Sequence, residues 1–317
     1  MHSSQKTRLD IHAAVTDKII AAIEAGAGEW KMPWHRPGTS FSIPTNALTH
    51  APYRGINILS LWIDADEKKF PTQVWATYKQ YQELGAQVRG GEKGSLIVKY
   101  GEWSQKDAEP DDNGDAPTRT YARAAWVFNI AQVDGLAPPA ETARVNLTTR
   151  LDHVERFLEA TGAEFRYGGQ RAFYRHRTSA GEGDYIQMPD LHLFTGTATS
   201  TPTEALYATM LHELLHWSGA AHRLNREHGK RFGDEAYAFE EMLVEIGAAA
   251  LCCQLSITNE PRPDHAQYID HWLKILRSDK KAIFAASAAA SRAADYLWSL
   301  QPNTAAPLVM PATEAAA

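Results

Sequence analysis

Cysteine is nearly missing from this chain: there are two in 317 residues, Cys252 and Cys253. Adjacent in an apolar stretch, they rule out a disulfide framework and complete no Cys-x-x-Cys metal spacing. Long hydrophobic runs are also missing. No stretch approaches the roughly 20 apolar residues of a membrane span, so no membrane association is expected. The first residues, MHSSQKTRLDIHAAVTDKII, hold no continuous apolar segment, and a secretory signal is not expected either. These absences together point to a cytoplasmic protein.

Excess positive charge is the third absence. The net charge is −6, which argues against a strongly basic nucleic-acid binder. The distribution qualifies this. Residues 1–100 hold 12 basic and 9 acidic side chains, whereas residues 151–317 hold 15 and 21. The acidity belongs to the second half, and a small basic surface on the first half stays open.

What is present is the balance of a globular protein, 44% hydrophobic and 22% charged, long enough for two domains. Ile11, Val15, Ile19 and Ile23 form a helical stripe, followed by a Trp- and Pro-rich loop around Trp30–Trp34. Helices are expected at about 56–66 and 77–84, and strands at 95–100 and 121–130. Residues 104–120, acidic and rich in Pro, Gly and Asp, read as a long exposed loop. Residues 134–146 read as a linker. The second half is expected to run helix (149–160), short strands (164–167, 171–175, 184–188), then helices at 202–218 and 235–254 and a helical C-terminal region from 264 to about 299. A tail follows from residue 301. This is an α+β chain of two domains. The first mixes helices with antiparallel strands over 8–133; the second, 147–300, is mostly helical with a small sheet.

The densest chemistry is His212-Glu213-Leu214-Leu215-His216. Chance supplies about 0.03 matches to His-Glu-x-x-His at this composition. Thr201-Pro202-Thr203-Glu204 is a capping box with Pro at the first helical position, so a helix begins there, and Gly219 ends it. Four residues apart, His212 and His216 share one helix face and can reach one ion. Glu213 is placed to take a proton from metal-bound water. A third ligand is required. The candidates are Glu241, then Glu245, both on the apolar helix 235–254, then His222, which completes His-Glu-x-x-His-x-x-Gly-x-x-His as in metzincins. Acids on an otherwise apolar helix need a charged partner, which favours Glu241. The pair Glu241 and Glu245 resembles the gluzincin arrangement of one ligand and one orienting acid. The metal is expected to be Zn2+, or another divalent ion in its place. Tyr237, His222 and His228 are nearby candidates for oxyanion contacts.

The first half is rich in aromatics beside bases and amides. Trp34, Tyr53, Arg54, Trp75, Tyr78, Lys79, Arg89 and Lys93 are the candidates for holding a single-stranded nucleic acid, with bases on aromatic faces and cations along the phosphates. The glycine turn at 90–94 adds backbone N–H groups for a phosphate.

The motifs Pro33-Trp34, Tyr53-Arg54-Gly55-Ile56-Asn57, Trp75 to Gln80, Gly91-Glu92-Lys93-Gly94 and Val127-Phe128-Asn129 resemble the N-terminal domain of the ArdC family of plasmid antirestriction proteins. That domain is similar to the N-terminal part of TraC-type plasmid primases. His212–Trp217, Arg223–Arg226, Arg231-Phe232-Gly233 and Tyr237–Gly247 resemble the same family's zincin-like metallopeptidase domain. The resemblance covers about residues 8–300. It implies an N-terminal domain that binds single-stranded DNA with little sequence preference, a C-terminal metal-binding domain, and protection of incoming plasmid DNA from host restriction. A protein substrate or a host restriction component is a further partner to be expected. The alternative is a soluble zinc metallopeptidase whose first domain recruits a protein substrate.

Overall fold

The structure, a computed structural model, describes residues 9–26, 42–104, 118–137, 147–177, 183–194, 201–226, 235–257 and 266–302. Trp30–Trp34, His228 and the segments 105–117, 138–146 and 303–317 lie outside them.

The first helix, α1 (Ile11–Gly26), starts where the Asp10 carboxylate accepts the Ala13 N–H at 3.0 Å. Its stripe is buried as the spacing requires: Val15, Ile19 and Ile23 are at most 1% exposed. After β1 (Thr45–Asn46) comes α2 (Ile56–Glu67). The residue before α2 is Gly55, with φ 55°, a left-handed conformation that a side chain would strain. Next are β2 (Val74–Ala76), α3 (Tyr78–Glu83) and β3 (Gln87–Val88). Thr77 and Gln80 form a capping box on α3.

Strands β4 (Ser95–Ser104) and β5 (Thr118–Asn129) form a long hairpin, paired from Ser95↔Val127 to Ser104↔Thr118. Both outrun the expected strands and trim the expected loop from each end. A sheet of order β1-β2-β5-β4 results. The strand β6 (Val133–Asp134) pairs with β3, so Asp134 belongs to the first region and not to a linker.

The second half runs α4 (Leu147–Ala160), β7 (Phe165–Tyr167), β8 (Phe173–Arg175) and β9 (Tyr185–Met188), a three-stranded sheet of order β7-β9-β8. Helices α5 (Pro202–Ser218), α6 (Glu235–Gln254), α7 (Ala266–Ser278) and α8 (Ala282–Ser299) complete it. The helical region expected from 264 to 299 consists of two helices, separated between Ser278 and Ala282. Gly247 explains how closely α5, α6 and α8 approach. A Cβ there would stand 3.0 Å from Leu215 Cδ1 and 3.7 Å from Ala290 Cβ. The alanine-rich face of α8 (Ala286, Ala289, Ala290, Ala293) lies in the same core. No described helix is long and apolar enough to cross a membrane.

The largest core cluster is shared by the two halves, and two smaller ones belong to the first half alone. The shared cluster joins Val15, Ile19 and Trp62 of the first half with Leu214, Leu243, Trp272 and Ile283 of the second. Polar contacts reinforce the seam. Thr16 Oγ1 donates to Lys280 O at 2.7 Å, Gly55 N–H donates to Ser291 Oγ at 3.2 Å, and Arg54 pairs with Asp295.

Candidate metal centre

Helix α5 begins with the capping box the sequence announces. Thr201 Oγ1 accepts the Glu204 N–H at 3.2 Å, and Glu204 accepts the Thr201 N–H at 3.1 Å. Such a cap contributes about 1 kcal/mol to the helix it starts. Leu211, Leu214 and Leu215 are wholly buried beneath the opposite face, so the rotation of α5 is set by its apolar side. That rotation turns His212 and His216 toward α6, with ring centroids 5.0 Å apart.

Glu241 on α6 meets both imidazoles. Its Oε2 lies 3.6 Å from His212 Nε2, and its Oε1 lies 3.4 Å from His216 Nε2. These separations are long for strong hydrogen bonds. They suit donors sharing an ion: bonds of about 2.0–2.1 Å at tetrahedral angles place ligand atoms about 3.4 Å apart. Among the described residues, His212, His216 and Glu241 form the cluster whose ligand atoms lie within 4.8 Å of one another. The residues present fit a divalent cation.

The other ring nitrogens face carboxylates. His212 Nδ1 is 2.7 Å from Glu245 Oε1. His216 Nδ1 is 3.5 Å from Glu240 Oε1. Such partners select the tautomer that offers Nε2 to a metal. Glu240 is itself clamped by Arg226, whose Nη2 and Nε donate to its two oxygens at 2.8 and 3.1 Å. Arg226 also donates to Leu215 O at 2.6 Å and to Ser218 Oγ at 2.9 Å, tying the turn after α5 to α6.

Burial makes this charge cluster consequential. Glu213, Glu240, Glu241 and Glu245 are all at most 5% exposed. Burial works against ionising Glu240, but the His216 hydrogen bond and Arg226 outweigh it and lower its pKa to about 2. Burial likewise opposes the charge on Glu241, and the neighbouring His216 charge brings it to about 2. Burial also disfavours a charged His216, yet the Glu241 carboxylate, with Glu240 and Glu213, raises its pKa well above the ordinary value. This is a pocket of anionic character, suited to a cation. Glu213, one residue on from His212, lies 4% exposed beside it.

His222 is not drawn in. It sits on the turn after α5, 54% exposed in its side chain, with Nε2 3.9 Å from Asp184. That carboxylate also receives Tyr174 Oη at 2.7 Å and Arg223 at 2.6 Å. Arg223 lies 3.5 Å over the Trp217 ring, so the segment following α5 is pinned to the β8–β9 hairpin. Glu240 and Arg226 were not singled out from the sequence as site residues. The signal for Glu240 was its adjacency to Glu241 on an apolar helix, and for Arg226 there was none at the level of spacing.

The eight expected DNA-contacting residues scatter. Trp75 is 0% exposed in the core with Leu61, Ile97 and Val127, which corrects its assignment: a fully buried indole offers no face to a base. Tyr53 is half-buried, its hydroxyl 3.2 Å from Asn46 Nδ2. Arg54 is directed to Asp295. Trp34 lies outside the described residues. Tyr78 is 43% exposed, and Lys93 is exposed at the glycine turn. Lys79 is exposed beside Tyr78 on α3. Arg89 is held by Ala131 O at 2.5 Å and Glu92 at 3.0 Å.

Comparison with known proteins covers both halves. A family described as the N-terminal domain of anti-restriction factor ArdC matches residues 9–128, and a zincin-like metallopeptidase family matches residues 152–289. The crystal structure of antirestriction protein ArdC from plasmid R388, metal-free, is 36% identical. It superposes with a TM-score of 0.73 over 92% of this chain and 98% of that one. Its Mn(II)-bound form gives 35% identity, 0.73, 93% and 99%. A Sinorhizobium fredii protein, y4eC, is 43% identical over 93% of this chain and 94% of its own. DNA primase TraC of Escherichia coli is 37% identical over 90% of this chain, which spans only 27% of that longer protein.

Proposed function

This chain belongs to the ArdC family of antirestriction proteins, and from that premise we propose that it protects incoming plasmid DNA from host restriction in the cytoplasm. It does so by binding single-stranded DNA without sequence preference and by means of a metal-dependent site. The observation that carries the second part is the convergence of His212 Nε2, His216 Nε2 and the Glu241 carboxylate at 3.4–3.6 Å. These three would hold a Zn2+ ion, or another divalent ion such as the Mn(II) of the R388 relative. When bound, the ion supplies a Lewis acid and lowers the pKa of coordinated water toward ~7.

The remaining roles belong to the chain's own residues. Glu213, buried and next to His212 on α5, acts as general base. Glu245 and Glu240 keep His212 and His216 in the tautomer that presents Nε2. Arg226 keeps Glu240 ionised and in place. On the first half, Tyr78, Lys79 and Lys93 supply an aromatic face and cations for a strand. A host restriction component, or another protein, is the substrate class we assign to the metal site.

The test is conjugal transfer of an unmodified plasmid into a restricting recipient, with the chain supplied as wild type or as Glu213→Gln. The proposal expects wild type to raise transconjugant yield at least about tenfold and the variant to lose that gain while keeping its metal. Equal yields with and without wild type would overturn the antirestriction role. Equal protection by Glu213→Gln would remove the catalytic role of the site.

A further inference from the structure

A cavity of about 430 Å³ opens on the first half, away from the metal centre, lined in part by Tyr78, Gln87, Arg89, Gly90, Phe128 and Asp134. Three of its features are unusual for a patch of plain surface.

One aromatic ring at the rim is exposed but held. Tyr78 is 43% exposed, yet its hydroxyl accepts Gln87 Nε2–H at 2.8 Å, which holds the ring at the rim. Phe128 shares a strand face with Trp126, and Trp126 is 53% exposed. Side chains two apart on a strand stand about 7 Å from each other. Gly94 packs between these two; a Cβ there would meet Trp126 Cβ at 3.2 Å and Phe128 Cζ at 3.3 Å. Tyr78 and Trp126 thus present rings to solvent, and Phe128 is half-buried near them.

The glycine turn beside the rings is open. Gly91 has φ 84°, which accounts for its identity. Gly90 has no such reason: its φ is ordinary, and a Cβ would meet nothing within 4 Å. Nothing inside the fold demands glycine at 90, whereas a closely approaching ligand would. Among the described residues no protein acceptor takes the N–H of Gly90 or Gly91, and Lys93 is exposed two residues on. Successive free N–H groups of this kind bind phosphate.

The far rim carries an acceptor. The Asp134 side chain is 69% exposed and, among the described residues, its carboxylate pairs with Arg89 at 3.5 Å. Arg89 is already held by Ala131 O and Glu92, so it forms a wall and not a phosphate anchor.

We propose that this cavity is a subsite for one unstacked nucleotide of a DNA single strand. The base lies against Tyr78 and Phe128, its exocyclic amine donates to Asp134, and its phosphate accepts from Gly90 and Gly91. The neighbouring base stacks on Trp126. A carboxylate acceptor favours amine-bearing bases, so the subsite discriminates cytosine from thymine within a strand otherwise bound without preference. This rests on the reading of the first half as a single-stranded DNA binder.

Fluorescence anisotropy of labelled dC12 and dT12 with the full chain tests it. Wild type is expected to bind dC12 at least about threefold more tightly than dT12, and Asp134→Ala to erase that difference. Tyr78→Ala and Gly90→Val are each expected to weaken dC12 by about tenfold, in line with the loss of one stacked base, with thermal melting unchanged. The melting control matters for Gly90, where the fold has room for the added side chain. The subsite is overturned if dT12 binds as well as dC12, or if both variants stay within about twofold of wild type. Free dCMP competing as well as dC12 would also overturn it, by making the cavity a mononucleotide site. Failure of wild type to bind either oligonucleotide at low salt is a different outcome: it removes the DNA-binding reading of the whole first half.

Discussion

The two halves of this molecule present their chemistry in opposite ways. On α5 and α6, two imidazoles and four acids gather in a space with almost no solvent, and both imidazoles meet carboxylates of α6. On the first half, the expected contact residues are spread over a surface where some point outward and others turned out to be core. A buried charge cluster must be satisfied within the fold, so its geometry is determined tightly. An exposed aromatic face has water as an alternative partner, and its arrangement is set only by the scaffold beneath it. Chemistry dictated by interior electrostatics is therefore readable residue by residue, while chemistry displayed on a surface is readable only as a region.

That contrast breaks if the two halves prove inseparable, and removing a ligand tests this most severely. Glu241→Ala or His216→Ala is expected to abolish stoichiometric metal, lowering affinity by roughly a thousandfold or more. Single-stranded DNA affinity should stay within about twofold. Metal analysis after dialysis, paired with anisotropy, checks both, and a parallel collapse of DNA binding would show that the shared core couples the sites.

The next effect separates core from surface within the first half. Trp75→Ala is expected to cost about 3–5 kcal/mol of stability, read by denaturant unfolding, as for other buried aromatics. Tyr78→Ala should cost less than about 1 kcal/mol. If Trp75→Ala left stability intact while abolishing DNA binding, the correction made above would itself be wrong.

A smaller loss is expected where one acid works through another group. Glu240→Gln and Arg226→Gln should weaken metal binding by about 10–100-fold, the range for groups that orient ligands. His222→Ala should stay within about threefold. A cobalt(II) absorption spectrum adds a readout that general destabilisation does not mimic: a changed ligand field around His216 with one ion still bound. A larger effect at His222 than at Glu241 would return the site to the metzincin pattern.

The smallest effect is the most diagnostic of the surface. Lys93→Ala should lower the slope of log affinity against log salt by about one, if its ammonium neutralises one phosphate. An unchanged slope would take Lys93 off the strand's path.

Much of the site was legible because helical spacing is a rigid rule. A period of 3.6 residues puts 212 beside 216 and 241 beside 245 regardless of what else the chain does. The capping box and Pro202 placed the start of α5 at the expected residue. The helix 235–254 was legible to its ends as well. Strand ends were read less well. The β4–β5 pairing runs on to Ser104↔Thr118, since cross-strand partners extend a hairpin where local composition reads as loop. Gln87-Val88 and Val133-Asp134 are too short to signal as strands alone, and each exists because of the other.

By itself, the chain's sequence determined the helices, the histidine pair with its adjacent base, and the presence of acids on an apolar helix facing it. Local spacing and the cost of burying charge are enough for that. Only the tertiary structure decided which acid meets both Nε2 atoms, that Glu240 backs His216 with Arg226 behind it, and that His222 turns to Asp184 instead. It also decided that Trp75 is core while Tyr78 and Trp126 are exposed, and that the largest core cluster runs through both halves. Each of these depends on how helices and strands distant in sequence rotate and dock, which is set by packing across elements and not by the spacing within any one of them.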